Sequence, residues 1–305
     1  RLMGLGQYIY PDGSSYGGEW QADLRQGQGL YLTVDGDRYW GAFAKDFFEG
    51  EGTYISVNGD QYEGLWLVGK RHGRGIQRYE DGRLYTGEFR DGRLEGYGRY
   101  IYPDNSKYTG AFVASLFDGD GTYLAANGDK YQGAWRAGKR HGRGMQVHYG
   151  GDIYTGDWQG GMKMGRGTYV TAYGDAYDGE FAADQFNGNG EYIWASGGKY
   201  SGSWVNDKRA GEGTYTYSDG RVYVGGWVEN QREGKALYTF PNGDIYDGKW
   251  QNDQRNGKFT VTYANGNGYV GTLKNNCFHG RGKYTFANGK VKQGKWKNCK
   301  LIKER

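Results

Sequence analysis

Proline is nearly missing from this 305-residue chain, which holds three. Cysteine is scarcer still, with Cys277 and Cys299 alone. Two cysteines cannot form a disulfide framework, which suits a reducing compartment. No apolar run approaches the ~18 residues of a membrane-spanning helix, and no signal peptide is legible. Charge of one sign is also lacking: the formal net charge is +4, too small to predict a strong field for nucleic acid. Leu, Ile and Val are sparse, only 36% of residues are hydrophobic, and mean hydropathy is -0.91. An ordinary globular core is therefore excluded. Apolar burial must rest on 30 Tyr, 10 Trp and 12 Phe. Glycine, at 59, is far from one residue in three, so collagen is excluded, and aromatics at 17% argue against disorder.

What is present is a period. Tyr-x-Gly-x-Trp/Phe starts at Tyr16 and returns every 23 residues, at Tyr39, Tyr62, Tyr85, Tyr108, Tyr131, Tyr154, Tyr177, Tyr200, Tyr223, Tyr246 and Tyr269, closing at Lys292. The glycine two places on is present in all 13 units and the next aromatic in 12, Leu273 being the exception. Gly-x-Gly-x-Tyr, as at Gly27, Gly29 and Tyr31, repeats out of phase with it. Asp/Asn-Gly is the third element, as at Asp12-Gly13, Asp35-Gly36 and Asn58-Gly59. A sustained period of this length signals a repeat architecture.

Residues at i, i+2 and i+4 of a strand share one face. Tyr16, Gly18 and Trp20 therefore lie on one face, as do Gly27, Gly29 and Tyr31. Pairing these strands around a six-residue loop at 21–26 sets Trp20 opposite Gly27, Gly18 opposite Gly29 and Tyr16 opposite Tyr31. An odd period then requires an odd return loop, and three residues at 34–36, with Gly36 left-handed in a G1-type bulge, supply it. Asn105 is the one residue that replaces this glycine. The Tyr row has gaps at Gln77, Gln146 and Val261. The other face carries Glu19, Gln28, Glu51, Arg74, Thr86, Asp120, Arg143 and Lys249, and is expected to be solvated. The fold class is all-β: an elongated single-layer antiparallel sheet of consecutive 23-residue β-hairpins, a half repeat at 1–15 and then units from 16 to the one at 292. At ~4.8 Å per strand, such a ribbon would be about 125 Å long.

These motifs resemble those of the MORN-repeat family over nearly the whole chain, from Gly4 to Trp296. The resemblance implies a non-enzymatic protein-interaction scaffold, cytoplasmic and associated with the cytoskeleton, as at a cilium, flagellum or basal body. The aromatic stripe is the candidate groove for a peptide or helix. It comprises Tyr16, Trp20, Tyr39, Phe43, Tyr62, Trp66, Tyr85, Phe89, Tyr108, Phe112, Tyr131, Trp135, Tyr154, Trp158, Tyr177, Phe181, Tyr200 and Trp204. A single layer would leave one side of each ring open. The alternative is a membrane tether that binds anionic phospholipid through basic hairpin loops, Lys70, Arg71, His72, Lys139, Arg140 and His141. Acidic residues at the same loop positions weigh against it.

No enzyme is expected. His72, His141, His148 and His279 have neither metal spacing nor a nucleophile pattern, and Gly-x-Gly here pairs strands and opens no helix. No cofactor is expected. Cys277, His279 and Cys299 form a weak zinc candidate beside the plainer reading of two reduced thiols. The array opens in mid-pattern, so further repeats are expected upstream, while the lysine-rich end is expected to blunt an edge strand. Ala236, Phe259, Val261 and Leu273 break the pattern late, which suggests a homodimer contact near that end.

Overall fold

Glycine spacing decides the backbone. A computed structural model describes residues 1–304, and these hold 27 β-strands and no helix. Seven-residue strands such as Ser15–Gln21 and Arg38–Ala44 alternate with nine-residue strands such as Leu24–Leu32 and Phe47–Ile55. The chain divides into two compact units, Arg1–Tyr149 with Trp158–Gly161, and Gly150–Asp157 with Met162 onward. Each unit is an all-β, single-layer antiparallel meander of 23-residue hairpin repeats.

The pairing confirms two of the three expected rows. Gly18 faces Gly29 and Tyr16 faces Tyr31 in the first hairpin. In the next pairing Gly29 faces Gly41 and Tyr31 faces Tyr39. The return loop closes as expected, with the Gly36 amide donating to the Thr33 carbonyl and the Thr33 amide to the Asp37 carbonyl. Gly36 has φ 101° and Asn105 φ 67°, so the left-handed position is real, and asparagine is the residue that tolerates it best after glycine.

The other loop differs from expectation. Residues 21–26 are not a loop: the strands run on to a two-residue turn at Ala22-Asp23, with Gln21 facing Leu24 and Trp20 facing Arg25. Both turn residues have positive φ, 53° and 70°, which is the I′ geometry that matches strand twist. The register then shifts between Gly18 and Glu19, leaving Gly27 and Gln28 as a bulge. Gly27, at φ 63°, is thus needed for the bulge and does not sit beneath Trp20. The aromatic covers a glycine across the other pairing instead: Trp20 faces Gly4, and Phe43 faces Gly27.

Both rows of turns are tied from repeat to repeat. On one side the second turn residue donates its amide to a carbonyl 21 residues back, as Asp46 to Arg25 and Gly92 to Arg71. Where that residue is Asp or Asn, its side chain accepts the amide in return, as Asp46 does from Arg25 at 2.8 Å. On the other side the residue after the turn glycine accepts an amide 20 residues ahead, as Asp37 does from Val57 at 2.8 Å.

The late irregularities are internal repackings. Ala236, Phe259, Val261 and Leu273 are all buried within the chain, so they offer no free surface for a second copy. Phe259 lies against Gly248, in the place a Tyr ring takes elsewhere, and faces Gly271 on the next strand. The homodimer expectation loses the residues that motivated it.

Three stability outcomes follow. Gly52→Ala places a Cβ 2.6 Å from Cε2 and Cζ of Tyr39, while Gly17→Ala meets nothing within 4 Å. The first should cost about 1–3 kcal/mol and the second should be neutral or stabilising by under ~1 kcal/mol. Hydrogen exchange of the flanking strands together with urea midpoints reads both. Val68, at φ 48°, is a β-branched residue held left-handed. Val68→Gly keeps the amide that Glu49 accepts and should gain about 1 kcal/mol.

Candidate functional site

The aromatic stripe folds onto itself. Outside the Tyr223 and Tyr246 repeats, the repeat tyrosine lies flat across the paired glycines: a Cβ on Gly75 would stand 2.6 Å from Cε2 of Tyr62, one on Gly167 2.6 Å from Cε2 of Tyr154. The hydroxyl reaches past them and donates to the carbonyl three residues on, as Tyr62 to Leu65 at 2.8 Å and Tyr85 to Glu88 at 2.9 Å. That carbonyl lies at the register shift, so the phenol satisfies an acceptor beside the broken ladder.

A second layer closes the stack from above. Phe48, Phe117, Phe186 and Phe278 stack on Tyr39, Tyr108, Tyr177 and Tyr269 with centroids 3.7–3.8 Å apart. In other repeats a cation takes that place, except where Leu94 stands there. The Arg71 guanidinium lies over Tyr62 and Phe89, that of Arg140 4.2 Å from the Trp158 centroid, and that of Arg232 4.4 Å from Trp250. Indole N–H groups are also engaged: Trp20 donates to the Gly6 carbonyl and Trp66 to that of Gly52, both at 3.2 Å.

The groove expected from the sequence is therefore core. Tyr16, Tyr39, Tyr62, Tyr85, Tyr108, Tyr131, Tyr154, Tyr177 and Tyr200 are 0–2% exposed. Trp20, Phe43, Trp66, Phe89, Phe112, Trp135, Trp158, Phe181 and Trp204 are 2–9% exposed. The reading failed because it took the sheet for one layer of side chains, whereas the residue five after each Trp or Phe folds over the rings. What this face still presents is the second layer, where Arg71, Tyr79, Arg83, Leu94, Tyr100 and Tyr102 line a cleft of about 460 Å³.

The basic loops are corrected by the same fact. Arg71 and Arg140 lie on strands, over the rings. Arg71 donates to Gln77 at 2.6 Å and to the Gly92 carbonyl at 2.9 Å; Arg140 does the same to Gln146 at 2.7 Å and Gly161 at 2.9 Å. Lys70 pairs with Asp91 at 3.9 Å, Lys139 is exposed, and His72 and His141 are half-buried in their strands. No basic ridge results. For zinc, no group of three or more His, Cys, Asp or Glu side chains converges among the described residues, so Cys277, His279 and Cys299 do not form a site there. The two thiols do meet: burial, with a hydrogen bond to Cys277, pushes Cys299 above its ordinary pKa.

The opposite face holds what the sequence missed. In the first unit it forms an open trough of about 860 Å³ between the Gln28 and Thr109 regions. Its floor is the backbone of Gly41, Gly52, Gly64, Gly75, Gly87 and Gly98, whose missing side chains belong to the other face. One wall carries Trp40, Thr53, Glu63, Ile76, Thr86 and Arg99, the other Gln28, Glu51, Leu65, Arg74, Glu88 and Tyr97. Trp40 is 68% and Tyr97 63% exposed, large rings in water on a face expected to be polar. Both stand out of phase with the repeat motif, Trp40 directly after Tyr39 and Tyr97 between Gly96 and Gly98, and that displacement was the available signal.

With this geometry in hand, sequence comparison is decisive. The MORN-repeat model matches thirteen consecutive segments: residues 1–15, 16–38, 39–61, 62–82, 85–107, 108–130, 131–153, 154–175, 177–199, 200–220, 223–245, 246–268 and 269–291. The chain belongs to the MORN-repeat family. Comparison with curated proteins found no match. Among solved structures, the chain is similar to the TCP domain of Drosophila melanogaster SAS-4 (dCPAP) in complex with a proline-rich motif of Ana2, at 13% identity over 51% of this chain and 84% of that one, TM-score 0.33. The TCP10 domain of Danio rerio CPAP follows at 11% identity, 95% and 100% coverage and TM-score 0.21. Staphylococcus aureus virginiamycin B lyase gives 12% identity, 88% and 83% coverage and TM-score 0.15. At these scores the likeness bears on neither partner nor activity.

Burial of this MORN array's rings has a measurable titration. Tyr62, Tyr131, Tyr200 and Tyr269 are pushed up to about 12, with burial the largest cause. Tyr54 rises to about 12 through burial and its hydrogen bond to Asp37, whose carboxyl that bond holds below its usual range. A folded pKa above the ordinary 10 means that the stability from neutral phenols is whole below pH 10 and is lost as pH rises toward 12. Phenolate absorbance from Tyr62, Tyr131, Tyr200 and Tyr269 should therefore rise only as circular dichroism reports unfolding. Ionisation of these four near pH 10 with the circular dichroism still native would contradict the stacked core.

Proposed function

We propose that this MORN array is a non-enzymatic scaffold that holds an extended segment of a protein partner in the trough of its first unit. The carrying observation is the pair of exposed rings, Trp40 and Tyr97, set on opposite walls above a glycine floor. Exposed aromatic area of this kind is uncommon without a partner, since large rings gain from contact and lose little entropy on ordering. The floor's backbone groups are paired with neighbouring strands, so the segment would be read by side chains and not by strand addition. Glu51 and Glu63 near the Trp40 end favour a basic residue in the ligand, with apolar side chains against Leu65, Ile76 and Tyr97. A cytoplasmic setting at the cytoskeleton, cilium or basal body is the reading that the family's long arrays support.

Peptides selected from a displayed random library on the intact chain should be enriched in basic and apolar residues. Trp40→Ser or Tyr97→Ser should weaken their binding about tenfold or more, with the melting temperature unchanged because both rings are exposed. Undiminished binding by both variants would remove the trough from the mechanism.

A further inference from the structure

The formal charge of +4 conceals a strong asymmetry. Residues 231–305 contain 15 Lys and Arg against 5 Asp and Glu, a net +10, which leaves residues 1–230 at −6. Much of the excess stands in one line. On the face opposite the rings, Lys235, Lys249, Lys258, Arg281, Lys295 and Lys303 occupy the same row on successive strands, interrupted only by Thr272. All six are exposed, and among the described residues none joins an ion pair. Lys283, one row over, is exposed as well. The acidic side chains on this face of these strands are Glu233, which accepts the Asn252 amide, and Asp247. In earlier repeats the same row mixes signs, with Glu19, Glu51, Glu88 and Asp120 beside Arg74, Arg143 and Arg166.

The register makes the line costly. Lys235 faces Lys249, Arg281 faces Lys295, and Lys295 faces Lys303 directly across paired strands. Like charges in such positions destabilise a sheet, where alternating signs would support it. A row that opposes stability in this way is best explained by a ligand that supplies the missing negative charge.

We propose that this row binds an acidic polypeptide segment, a run of Glu and Asp in extended conformation. Three observations separate it from other polyanions. Adjacent strands of a sheet rotate by about 20–25°, so over these seven strands the row winds through more than a quarter turn. A flexible chain can follow that path, whereas a flat membrane would meet only two or three of the strands. Five of the six cations are Lys and one is Arg, which suits a diffuse polyanion more than bidentate phosphate recognition. No Phe, Tyr or Trp stands on this face of the described strands from Gln231 onward, so single-stranded nucleic acid finds no stacking platform.

The test uses the full chain and three probes: a labelled ten-residue oligoglutamate, a ten-residue thymidine oligonucleotide, and vesicles of phosphatidylserine and phosphatidylcholine. Oligoglutamate should bind with an affinity that falls as salt rises. Lys249→Glu with Lys258→Glu should weaken it at least about tenfold, while Lys70→Glu with Lys139→Glu should not. Lys249→Glu also turns the contact with Lys235 into an attraction, so it should raise thermal stability while binding falls. That opposition separates the proposal from loss of folding. Absence of oligoglutamate binding, equal binding by the variants, or tighter stripe-dependent binding of the oligonucleotide or the vesicles would overturn it.

Discussion

A tyrosine ring laid across two facing glycines is the contact on which the rest depends. The ring can lie flat only because Gly18 and Gly29, and their counterparts, have no Cβ at the crossing. Its hydroxyl then reaches the carbonyl of residue i+3, and that bond recurs in eleven repeats, from Tyr16 to Tyr269, at 2.8–3.1 Å. The carbonyl needs a donor because the register shifts there, and the register shifts because the first glycine of Gly-x-Gly takes positive φ. Ring, glycine pair and bulge thus support one another. Where Ala236 replaces one glycine of the pair, the Tyr223 hydroxyl bond and the register shift persist.

This contact also fixes where recognition can occur. A sheet that buries rings on one side through self-stacking needs no second sheet, and each repeat leans chiefly on its neighbours. The ring face is spent on stability. The turns are spent as well, since each is tied to the next by backbone and Asp or Asn bonds. What stays free to vary is the reverse face. There the first unit has a glycine-floored trough with exposed rings, and the second unit ends in a cationic row.

Much of the fold was legible because the period constrains faces and parity. The Tyr, Gly and aromatic rows, the left-handed Gly36 position and the all-β class follow from the 23-residue spacing. The turn at residues 22–23 was not legible. Ala22-Asp23 and its counterparts Lys45-Asp46, Val68-Gly69 and Ala114-Ser115 carry no Asn-Gly signal of a I′ turn, although Asp91-Gly92 and Gly160-Gly161 at the same place are pairs that such a turn favours. The burial of the rings was hidden for a related reason. Arg71 and Arg140 look like loop charges in sequence, and only the shortened turn puts them on a strand above the stack. The trough was missed because a face with mostly polar residues was averaged, and Trp40 and Tyr97 disappeared into the average.

The departures from the repeat show how tightly the ring contact is held. Gln77 and Gln146 interrupt the Tyr row in the two repeats where Arg71 and Arg140 stand six residues earlier, and each amide oxygen accepts from that guanidinium. In other repeats the arginine at this place lies over a retained tyrosine, as Arg25 over Tyr31 and Arg209 over Tyr215. Phe259 replaces a glycine and lies against Gly248, and Tyr246 there hydrogen-bonds to Tyr263 in place of the usual carbonyl. Ala236 has no such compensation: its methyl fills the space a Cβ on Gly225 would need, and Trp250 is left with an indole N–H that finds no acceptor. Changes on the ring face are thus either repaired or leave a visible defect. On the reverse face, the row that carries Glu19, Glu51 and Glu88 in early repeats carries Lys235, Lys249 and Lys258 in late ones, and none of these exposed side chains enters the ring packing. That freedom is what lets one rigid repeat carry different surfaces along its length, with charge and exposed rings assigned to the side the core does not use.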